Sequence, residues 1–276
     1  MILVTGAKGV VGRPLCERLQ GEGEEYIAVT RSAPNFNQEL QWDLSKPPST
    51  DAKVKLGQVT SVIHCAPIWL LPLHVDFLLE ANVTQLVVFS STSVISKQAS
   101  KNPQEQQLVA QLGNAEQQLI SACESTNTKL IILRPSLIYG YGRDQNVSHI
   151  AGFIKRFHFM VLVGKASGLR QPVHADDLVD TAIAGLSALI DGQRIYTLAG
   201  KEVLTYRSMV KRIFEGLRKK PIMISIPLWV FRSALAIAAK VSGFSYTAEM
   251  AERMNQNLDY DYIDASKDLS STLKLF

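Results

Sequence analysis

Met1-Ile-Leu-Val-Thr-Gly-Ala-Lys-Gly-Val-Val-Gly12 is the stretch that decides the fold of this chain. Residues 2–4 form an apolar run that predicts a short buried strand, and from Val10 the chain can continue as a helix. Between the two stand three glycines at three-residue intervals, Gly6, Gly9 and Gly12. Glycine permits a tight turn, lets backbone N–H groups approach an anion, and allows a helix to lie close to a strand. The stretch therefore predicts a strand, a phosphate-binding turn and a helix.

Apolar runs typical of strands alternate with helical patterns through the first half of the chain. Further strands are predicted at 26–30, 40–44, 59–67, 85–89 and 129–135. Helices are predicted at 10–20, 70–82 and 105–125. Strict alternation of strand and helix is typical of an α/β fold, here a Rossmann-like doubly wound parallel sheet.

The second half is less regular and predicts a smaller unit beside the sheet. Helices are predicted at 147–157, 206–217, 228–241 and 247–257, with a further strand at 194–199. We expect residues 1–165 to form the Rossmann domain, to which 170–200 add a strand and a helix. Residues 200–276 are expected to form a mostly helical substrate-binding lobe, giving a small C-terminal part of mixed structure.

Composition excludes several classes of protein. The net charge of +4 is spread over 276 residues and no lysine- or arginine-rich run stands out, so a nucleic-acid partner is not expected. Cys16, Cys65 and Cys123 have no metal-ligand spacing, which favours buried, reduced thiols and no metal site. The first strand begins at Ile2 and leaves no room for a signal peptide, so a cytoplasmic location is expected.

Leu228–Val241 is the segment most typical of a membrane protein. It is only 14 residues long and carries Arg232 and Lys240, which makes it too short and too polar to cross a bilayer. We expect this helix to pack on the body of the protein. Membrane contact is therefore not expected, with peripheral contact through this helix as the alternative.

The end of the second predicted strand bears on which ligand the glycine turn binds. In dinucleotide-binding folds a carboxylate at this point binds the 2′-hydroxyl of NAD, whereas a basic residue favours the 2′-phosphate of NADP. Here Thr30 is followed by Arg31 and Ser32 with no acid, and Lys8 supplies a second cation. The sequence favours NADP(H), with NAD(H) left open, unless Arg31 simply faces water. Asp43, in the next strand, can accept a hydrogen bond from an adenine amino group.

Polar side chains follow the strand predicted at 85–89. Ser90-Ser-Thr-Ser-Val-Ile-Ser96 places hydroxyl groups at the C-terminal end of a central strand. Open α/β sheets bind ligands at this edge, so we favour a functional cluster over an ordinary serine-rich turn. His64 lies inside another apolar strand, where a histidine is more often a packed structural residue than a catalyst.

Four motifs occur in the order in which a known family carries them. They are Thr5–Gly12, Ser90–Val94, Arg134-Pro135 with Tyr139-Gly140, and Arg170-x-x-Val-His-x-Asp-Asp177. Their combination resembles the extended short-chain dehydrogenases/reductases, the NAD-dependent epimerase/dehydratase family, over nearly the whole chain. The resemblance implies a Rossmann domain with a small C-terminal lobe, and activity on a nucleotide sugar.

The resemblance also implies a role for each matching position. The diphosphate loop corresponds to Gly6, Lys8, Gly9, Val10, Val11 and Gly12. The 2′-phosphate site corresponds to Arg31 and Ser32, and the adenine site to Asp43 and Leu44. Cys65, Ala66 and Pro67 are expected to line the cofactor, and Pro135 to flank the nicotinamide. Ser91 resembles the catalytic hydroxyl, with Thr92 as the second choice. Arg170 resembles the arginine that grips a substrate diphosphate, and Arg253 is a second candidate.

The chain departs from this family at the catalytic pair. The family uses Tyr-x-x-x-Lys on the helix after the fifth strand, where tyrosine is the acid/base and lysine lowers its pKa. Aligning Ala115-Glu116 with the family's Ala-Glu puts Leu108 and Leu112 at those positions, and no tyrosine in the chain has a lysine four residues later. Tyr139 is the first candidate for a replacement donor. Lys97 or Lys101 would supply the accompanying cation, and His149 and His174 are further candidates for the donor.

Three functions remain open from the sequence. An NADP(H)-dependent oxidoreductase or epimerase with a small-molecule substrate ranks first, because Arg170 indicates a substrate site. A non-catalytic NADP(H)-binding sensor or scaffold ranks second, because the Tyr/Lys pair is missing. A protein that docks on a membrane through Leu228–Val241 ranks third. The sequence leaves a homodimer open.

Overall fold

The computed structural model describes residues 1–34, 36–188, 190–238, 248–261, 268–269 and 275–276. A central sheet of seven parallel strands has the order β11-β6-β5-β4-β1-β2-β3, numbered along the chain. Its strands are β1 (Ile2–Thr5), β2 (Tyr26–Thr30), β3 (Glu39–Gln41), β4 (Ser61–His64), β5 (Gln85–Phe89), β6 (Lys129–Pro135) and β11 (Gln193–Leu198). The predicted doubly wound α/β sheet is confirmed.

Helices cover both faces of this sheet. One face carries α2 (Thr50–Leu56), α3 (Val75–Glu80) and α5 (Pro103–Thr126), and the other carries α1 (Gly12–Glu22) and α7 (Ala175–Ser187). Neighbouring residues of a strand point to opposite faces, so Leu3 packs in the first core and Val4 in the second. Both are fully buried, as a parallel sheet covered on two sides requires.

A third core forms the lobe beside the sheet. It is built from α6 (Val147–Phe157), β8 (Met160–Val163), α8 (Tyr206–Gly216), β13 (Met223–Ile226), α9 (Leu228–Ala238) and α10 (Ala248–Arg253). Strands β8 and β13 pair in parallel, and Phe214 and Leu162 are fully buried between the helices.

Short elements connect the three cores. Two two-residue ladders pair β7 (Ile138–Tyr139) with β10 (Val173–His174), and β9 (Leu169–Arg170) with β12 (Leu204–Thr205). A short helix α4 (Ser93–Ser96) follows β5, and a 3₁₀ turn spans Ile68–Leu70. The chain thus passes between sheet and lobe several times.

The lobe has the predicted mixed structure, but it begins earlier in the chain than predicted. It contains the β8–β13 pair, and its helices α8, α9 and α10 fall within residues 200–276. Helix α6 and strand β8 also pack in the lobe core, so they lie on the lobe side of the predicted division at residue 165. The four apolar residues of β8 were missed because so short a run does not distinguish a strand from a helix segment.

The remaining differences are local. Helices α2 and α4 were not predicted, and α5 begins at Pro103, two residues before the predicted start at 105. No helix in the described ranges is both long and apolar enough to cross a bilayer. The predicted helix at 228–241 begins as expected at Leu228, but residues 239–241 lie outside the described residues.

Candidate functional site

The glycine turn is closed too tightly for any other residue. Gly6 has φ +67°, and a Cβ added to it would lie 2.6 Å from the backbone nitrogen of Ala66. A Cβ on Gly12 would lie well inside 3.0 Å of the carbonyl oxygen of Gly6. A third contact, the hydrogen bond from the Gly9 N–H to the Gly6 carbonyl at 2.8 Å, fixes the turn. Gly6 and Gly12 are required by close backbone approach, as the sequence predicted.

The turn leads directly into the N-terminus of α1. Its N-cap is Val11, whose side chain cannot accept a hydrogen bond, and Gly12 is the first helical residue. The first-turn N–H groups and the positive end of the helix dipole therefore favour an anion from outside the chain. Val10 belongs to the turn rather than to the helix. We call residues 6–12 the glycine cradle.

Two of the three predicted 2′-phosphate ligands are in direct contact. The ammonium group of Lys8 donates a hydrogen bond to the hydroxyl of Ser32 at 2.5 Å. Arg31 is exposed beside them at the end of β2, and its carbonyl accepts a hydrogen bond from Gln41 at 3.2 Å. An ammonium and a hydroxyl thus meet at one edge of the cradle, next to an exposed arginine, and no carboxylate ends β2.

The predicted adenine site contains one exposed and one buried residue. Asp43 is exposed, and its carboxylate accepts hydrogen bonds from the backbone and the hydroxyl of Ser45. These two bonds lower the pKa of Asp43 below its ordinary value, so the group remains an ionised acceptor. Leu44 is buried in the core of the sheet, and its carbonyl is held by His74.

The three residues after β4 lie against the cradle. Cys65 and Ala66 are half-buried and Pro67 is exposed, with Cys65 and Ala66 supplying the backbone that touches Gly6. The cysteines were predicted to be buried, but only Cys123 is; Cys16 and Cys65 are partly exposed. Burial raises the pKa of all three thiols, so none is poised as a thiolate.

His64 is a structural residue of the cradle. It is fully buried, its Nε2 lies 3.2 Å from the carbonyl of Pro67, and its Nδ1 lies 2.7 Å from the hydroxyl of Thr5. A carbonyl can only accept, so Nε2 carries the proton and Nδ1 accepts from Thr5. Burial lowers the pKa of His64 to about 4, which keeps the ring neutral.

A cavity of about 580 Å³ lies on the α1 side of β2, and a second cavity of about 520 Å³ lies between the sheet and the lobe. The second joins the predicted catalytic and substrate residues, and we call it the Ser91 pocket. From the sheet side it is lined by Ser91, Thr92, Ser93, Ser96, Lys97 and Ser136. From the lobe side it is lined by His149, Arg170, Tyr206, Arg253, Leu258 and Tyr260, among others.

The two predicted hydroxyls differ in their availability. Thr92 is buried and donates its hydroxyl to the carbonyl of Pro135 at 3.1 Å. The hydroxyl oxygen of Ser91 accepts a hydrogen bond from the N–H of Ser93 at 3.1 Å, which leaves its own proton to be donated. Ser91 is therefore better placed than Thr92 to donate to a ligand in the pocket. Pro135 contributes its carbonyl to Thr92.

Arg170 lies at the pocket, but its guanidinium group holds the protein backbone. It is buried and donates to the carbonyls of Leu169 at 2.6 Å, Gln256 at 2.8 Å and Arg253 at 2.5 Å. Its guanidinium also lies over the ring of Tyr206 at 5.4 Å. Arg170 thus fastens the segment 253–258 against the pocket, a role that the sequence did not predict.

Arg253 and Lys97 share one carboxylate at the wall of the pocket. Arg253 forms an ion pair with Glu105, and the ammonium of Lys97 lies 3.3 Å from the same oxygen. Glu105 also accepts a hydrogen bond from Ser100 at 2.7 Å. Burial acts to raise the pKa of Glu105, but the bonds from Ser100 and Arg253 and the charge of Lys97 outweigh it, so its pKa lies below the ordinary value. Sequence reasoning missed Glu105.

A second buried carboxylate supports the strand ends behind the pocket. Glu116 of α5 is buried, accepts a hydrogen bond from Ser90 at 2.5 Å, and is held by two guanidinium nitrogens of Arg134. This bidentate pair fixes α5 to the ends of β5 and β6. The signal available in the sequence was helical spacing, because Glu116 stands four residues after Leu112 and three before Leu119 and so shares their buried face of α5.

Tyr139 is not among the residues that line the Ser91 pocket. Its hydroxyl donates to the carbonyl of Leu275 at 3.3 Å, and its ring packs against His174 and Phe276. Burial and the charges of nearby acids raise the pKa of Tyr139 to about 12. His174 caps α7 by accepting a hydrogen bond from the N–H of Asp176 at 3.1 Å. The geometry therefore disfavours both as proton donors.

Helix α5 carries neither tyrosine nor lysine. Leu112 is buried in the core of the sheet and Leu108 packs at its margin, so both positions serve packing. The described residues contain no cluster of metal-ligating side chains.

A parallel sheet in this strand order with a glycine cradle at the first helix defines a dinucleotide-binding α/β protein. The family model described as "NAD dependent epimerase/dehydratase family" matches residues 2–69 and 74–199. The chain belongs to this family.

Two comparisons place the chain among its relatives. UDP-glucose 4-epimerase of Vibrio cholerae is 20% identical over 292 residues, covering 94% of this chain and 87% of the relative. An uncharacterized protein of Mycobacterium tuberculosis is 26% identical over 233 residues, covering 82% of this chain but 24% of the relative.

Solved structures share the whole fold. MoeE5 in complex with UDP-glucose and NAD superposes with a TM-score of 0.72 at 19% identity, covering 100% of this chain and 94% of the other. UDP-glucuronic acid 4-epimerase from Bacillus cereus in complex with NAD gives a TM-score of 0.74 at 14% identity, with the same coverage. At these identities the likeness shows the fold.

Proposed function

We propose that this chain binds a nicotinamide dinucleotide at the glycine cradle and transfers hydride to or from a nucleotide sugar, or a related hydroxyl or carbonyl compound, in the Ser91 pocket. The single observation that carries this proposal is the pocket itself. It brings hydroxyls from the carboxyl end of β5 and cations from the lobe together at the edge where open α/β sheets bind ligands. The hydride chemistry belongs to the nicotinamide when it is bound, and the protein positions groups around it.

We propose a preference for NADP(H). The support is the contact between Lys8 and Ser32 beside Arg31, together with the absence of a carboxylate at the end of β2. A 2′-phosphate can replace the serine hydroxyl as the partner of Lys8 and gain the charge of Arg31. The two solved relatives are complexes with NAD, so the proposed preference rests on this chain's own residues.

We propose His149 as the group that exchanges a proton with the substrate, with Ser91 donating a hydrogen bond to the same oxygen. Both line the pocket, His149 from the first turn of α6 and Ser91 from the end of β5. Imidazole is the side chain that most often transfers protons in enzymes. We prefer His149 to Tyr139 as the proton donor because the hydroxyl of Tyr139 donates to the carbonyl of Leu275.

The first test uses fluorescence to measure the affinity of the protein for NADPH and for NADH. We expect tighter NADPH binding, and we expect Lys8→Gln/Arg31→Gln to abolish the difference. The control Arg13→Gln removes a cation of α1 that is paired with Glu17. It should leave the difference in affinity between NADPH and NADH unchanged. Equal affinity for both dinucleotides in the unaltered protein would refute the preference.

Turnover is tested with NADPH or NADP⁺ and a panel of UDP- and dTDP-sugars and their keto forms. We expect His149→Gln to lower kcat by roughly 10²-fold or more, as loss of a proton-transfer group does. We expect Ser91→Ala to lower kcat by roughly 10²-fold, as loss of a hydrogen-bond donor to the reacting oxygen does. His158→Gln, a histidine outside the pocket, is the control. Wild-type activity in both pocket variants would exclude the assigned roles.

A non-catalytic dinucleotide-binding sensor is the second candidate. The observation that favours it is that α5 contributes leucine to the core where the resemblance places Tyr and Lys. This function predicts tight NADPH binding with no turnover on the panel, and a change in oligomeric state on adding NADPH. Light scattering with and without NADPH separates it from the enzyme.

A further inference from the structure

Two short basic segments that are far apart in sequence lie side by side on the lobe. Residues 155–159 read Lys-Arg-Phe-His-Phe, and residues 218–222 read Arg-Lys-Lys-Pro-Ile. The ammonium of Lys219 donates to the carbonyl of Lys155 at 3.1 Å and lies 3.0 Å from Nδ1 of His158. The N–H of Met160 donates to the carbonyl of Ile222 at 2.9 Å. We call these ten residues the Phe157 face.

The Phe157 face combines positive charge with exposed apolar groups. Its ten residues include five lysines and arginines and no aspartate or glutamate. Phe157 is 47% exposed, Ile222 is 52% exposed, and Ile224 next to the face is 48% exposed. The ring of Phe157 is packed by Phe153 at 4.6 Å and by the guanidinium of Arg156 at 5.2 Å, so it is held in place at the surface.

Stabilisation of helix ends explains only part of this pattern. Lys155 and Arg156 lie in the last turn of α6, where cations favour the helix dipole. Helix α8 has no basic residue in its last turn, and Arg218, Lys219 and Lys220 follow it. The exposed phenylalanine and isoleucine side chains gain nothing from a helix dipole. Both features are accounted for together by a partner that is anionic and apolar.

We propose that the Phe157 face docks this protein on the surface of a membrane rich in anionic phospholipid. Lysine and arginine are attracted to the anionic headgroups, while Phe157 and Ile222 enter the boundary of the acyl chains. Nucleic acid fits less well, because bases stack on aromatic faces and two of the three exposed apolar groups are isoleucine. A second copy of the chain fits poorly, because this face has no carboxylate to meet its own cations. The proposal does not depend on the helix Leu228–Ala238 or on the proposed activity.

The test measures sedimentation of the full chain with vesicles of phosphatidylcholine alone and of phosphatidylcholine mixed with phosphatidylglycerol. We expect binding to the anionic vesicles only, weakening as salt is raised. The triple variant Lys155→Gln/Arg156→Gln/Lys220→Gln should bind anionic vesicles at least tenfold more weakly, since each cation contributes on the order of fivefold in affinity. The control Lys53→Gln/Lys55→Gln/Lys201→Gln makes the same change in net charge elsewhere on the surface.

A second variant separates membrane docking from binding to any polyanion. Phe157→Ser/Ile222→Ser keeps all five cations and should weaken vesicle binding several-fold, with an unchanged circular dichroism spectrum as evidence of folding. Absence of binding to anionic vesicles by the unaltered protein overturns the proposal. Equal loss in the control variant also overturns it. Tighter binding to duplex DNA than to vesicles, unchanged by Phe157→Ser/Ile222→Ser, overturns it in favour of nucleic acid.

Discussion

Glu105 in the first turn of α5 is ion-paired with Arg253 in the last turn of α10, although 148 residues separate them. The pair joins the sheet to the lobe across the wall of the Ser91 pocket. Because Lys97 contacts the same carboxylate, Glu105 holds two cations that could otherwise meet an anionic ligand.

Removal of this carboxylate should strengthen binding of an anion. We expect Glu105→Gln to raise the affinity for UDP about fivefold, since a partly buried ion pair competes with the ligand by roughly 1 kcal/mol. Isothermal titration calorimetry measures the change. The control is Glu252→Gln, which removes the carboxylate paired with Arg232 on the neighbouring helix. A weaker affinity for UDP in Glu105→Gln would mean that Glu105 positions the cations instead of competing for them.

The glycine cradle offers a matched pair of glycine substitutions within one helix. Gly12→Ala places a methyl group against the Gly6 carbonyl, so we expect loss of NADPH binding and a lower Tm. Gly21→Ala lies in the same helix with nothing within 4 Å of the new methyl group, and should raise stability by up to about 1 kcal/mol. Thermal unfolding and NADPH titration of both variants test this. Unimpaired NADPH binding by Gly12→Ala would show that the turn can relax.

His64 makes stability depend on pH in a definite direction. Its pKa falls from 6.5 to about 4 in the folded protein, so folding requires the neutral ring. The contribution is complete above pH 6.5 and is lost as the pH falls through about 4, up to about 3 kcal/mol in all. Urea unfolding between pH 7 and pH 4 should show a smaller loss of stability in His64→Gln than in the unaltered protein. If the stability of the two proteins fell equally with pH, the pH dependence would belong to groups other than His64.

The buried pair Glu116–Arg134 should behave as a unit. Glu116→Leu leaves the guanidinium of Arg134, whose side chain is only 20% exposed, without its carboxylate partner. We expect this to lower the free energy of unfolding by about 3 kcal/mol. Glu116→Leu/Arg134→Met should recover most of that loss, because no unpaired charge remains. Chemical denaturation of the two single variants and the double variant measures the coupling. Additive losses would show that the two side chains act independently.

The cradle could be predicted because its determinants are local. Gly6, Gly9 and Gly12 act on each other and on the next strand, and their spacing in the sequence already expresses that geometry. The closeness of Lys8 and Ser32 could also be predicted, because residues at the ends of neighbouring parallel strands must lie at one edge of the sheet. Their role toward a 2′-phosphate stays a prediction.

The lobe side of the pocket could be predicted only in part. Arg170 lines the pocket, and its expected contact with a substrate diphosphate stays a prediction. Its observed partners include the carbonyls of residues 253 and 256, which no local pattern reveals. Glu105 was missed because its partner, Arg253, lies far along the chain. The Phe157 face was missed for the same reason, since neither of its two basic segments is long enough to be noticed alone.

The contacts of Arg170 also set an order of assembly. During synthesis the cradle, β1 to β6 and the serines after β5 emerge first, and domains generally fold in that direction. The wall of the pocket is complete only when residues 253–258 arrive to accept the hydrogen bonds of Arg170. A nascent chain should therefore be able to hold a dinucleotide before it has anywhere to place a substrate.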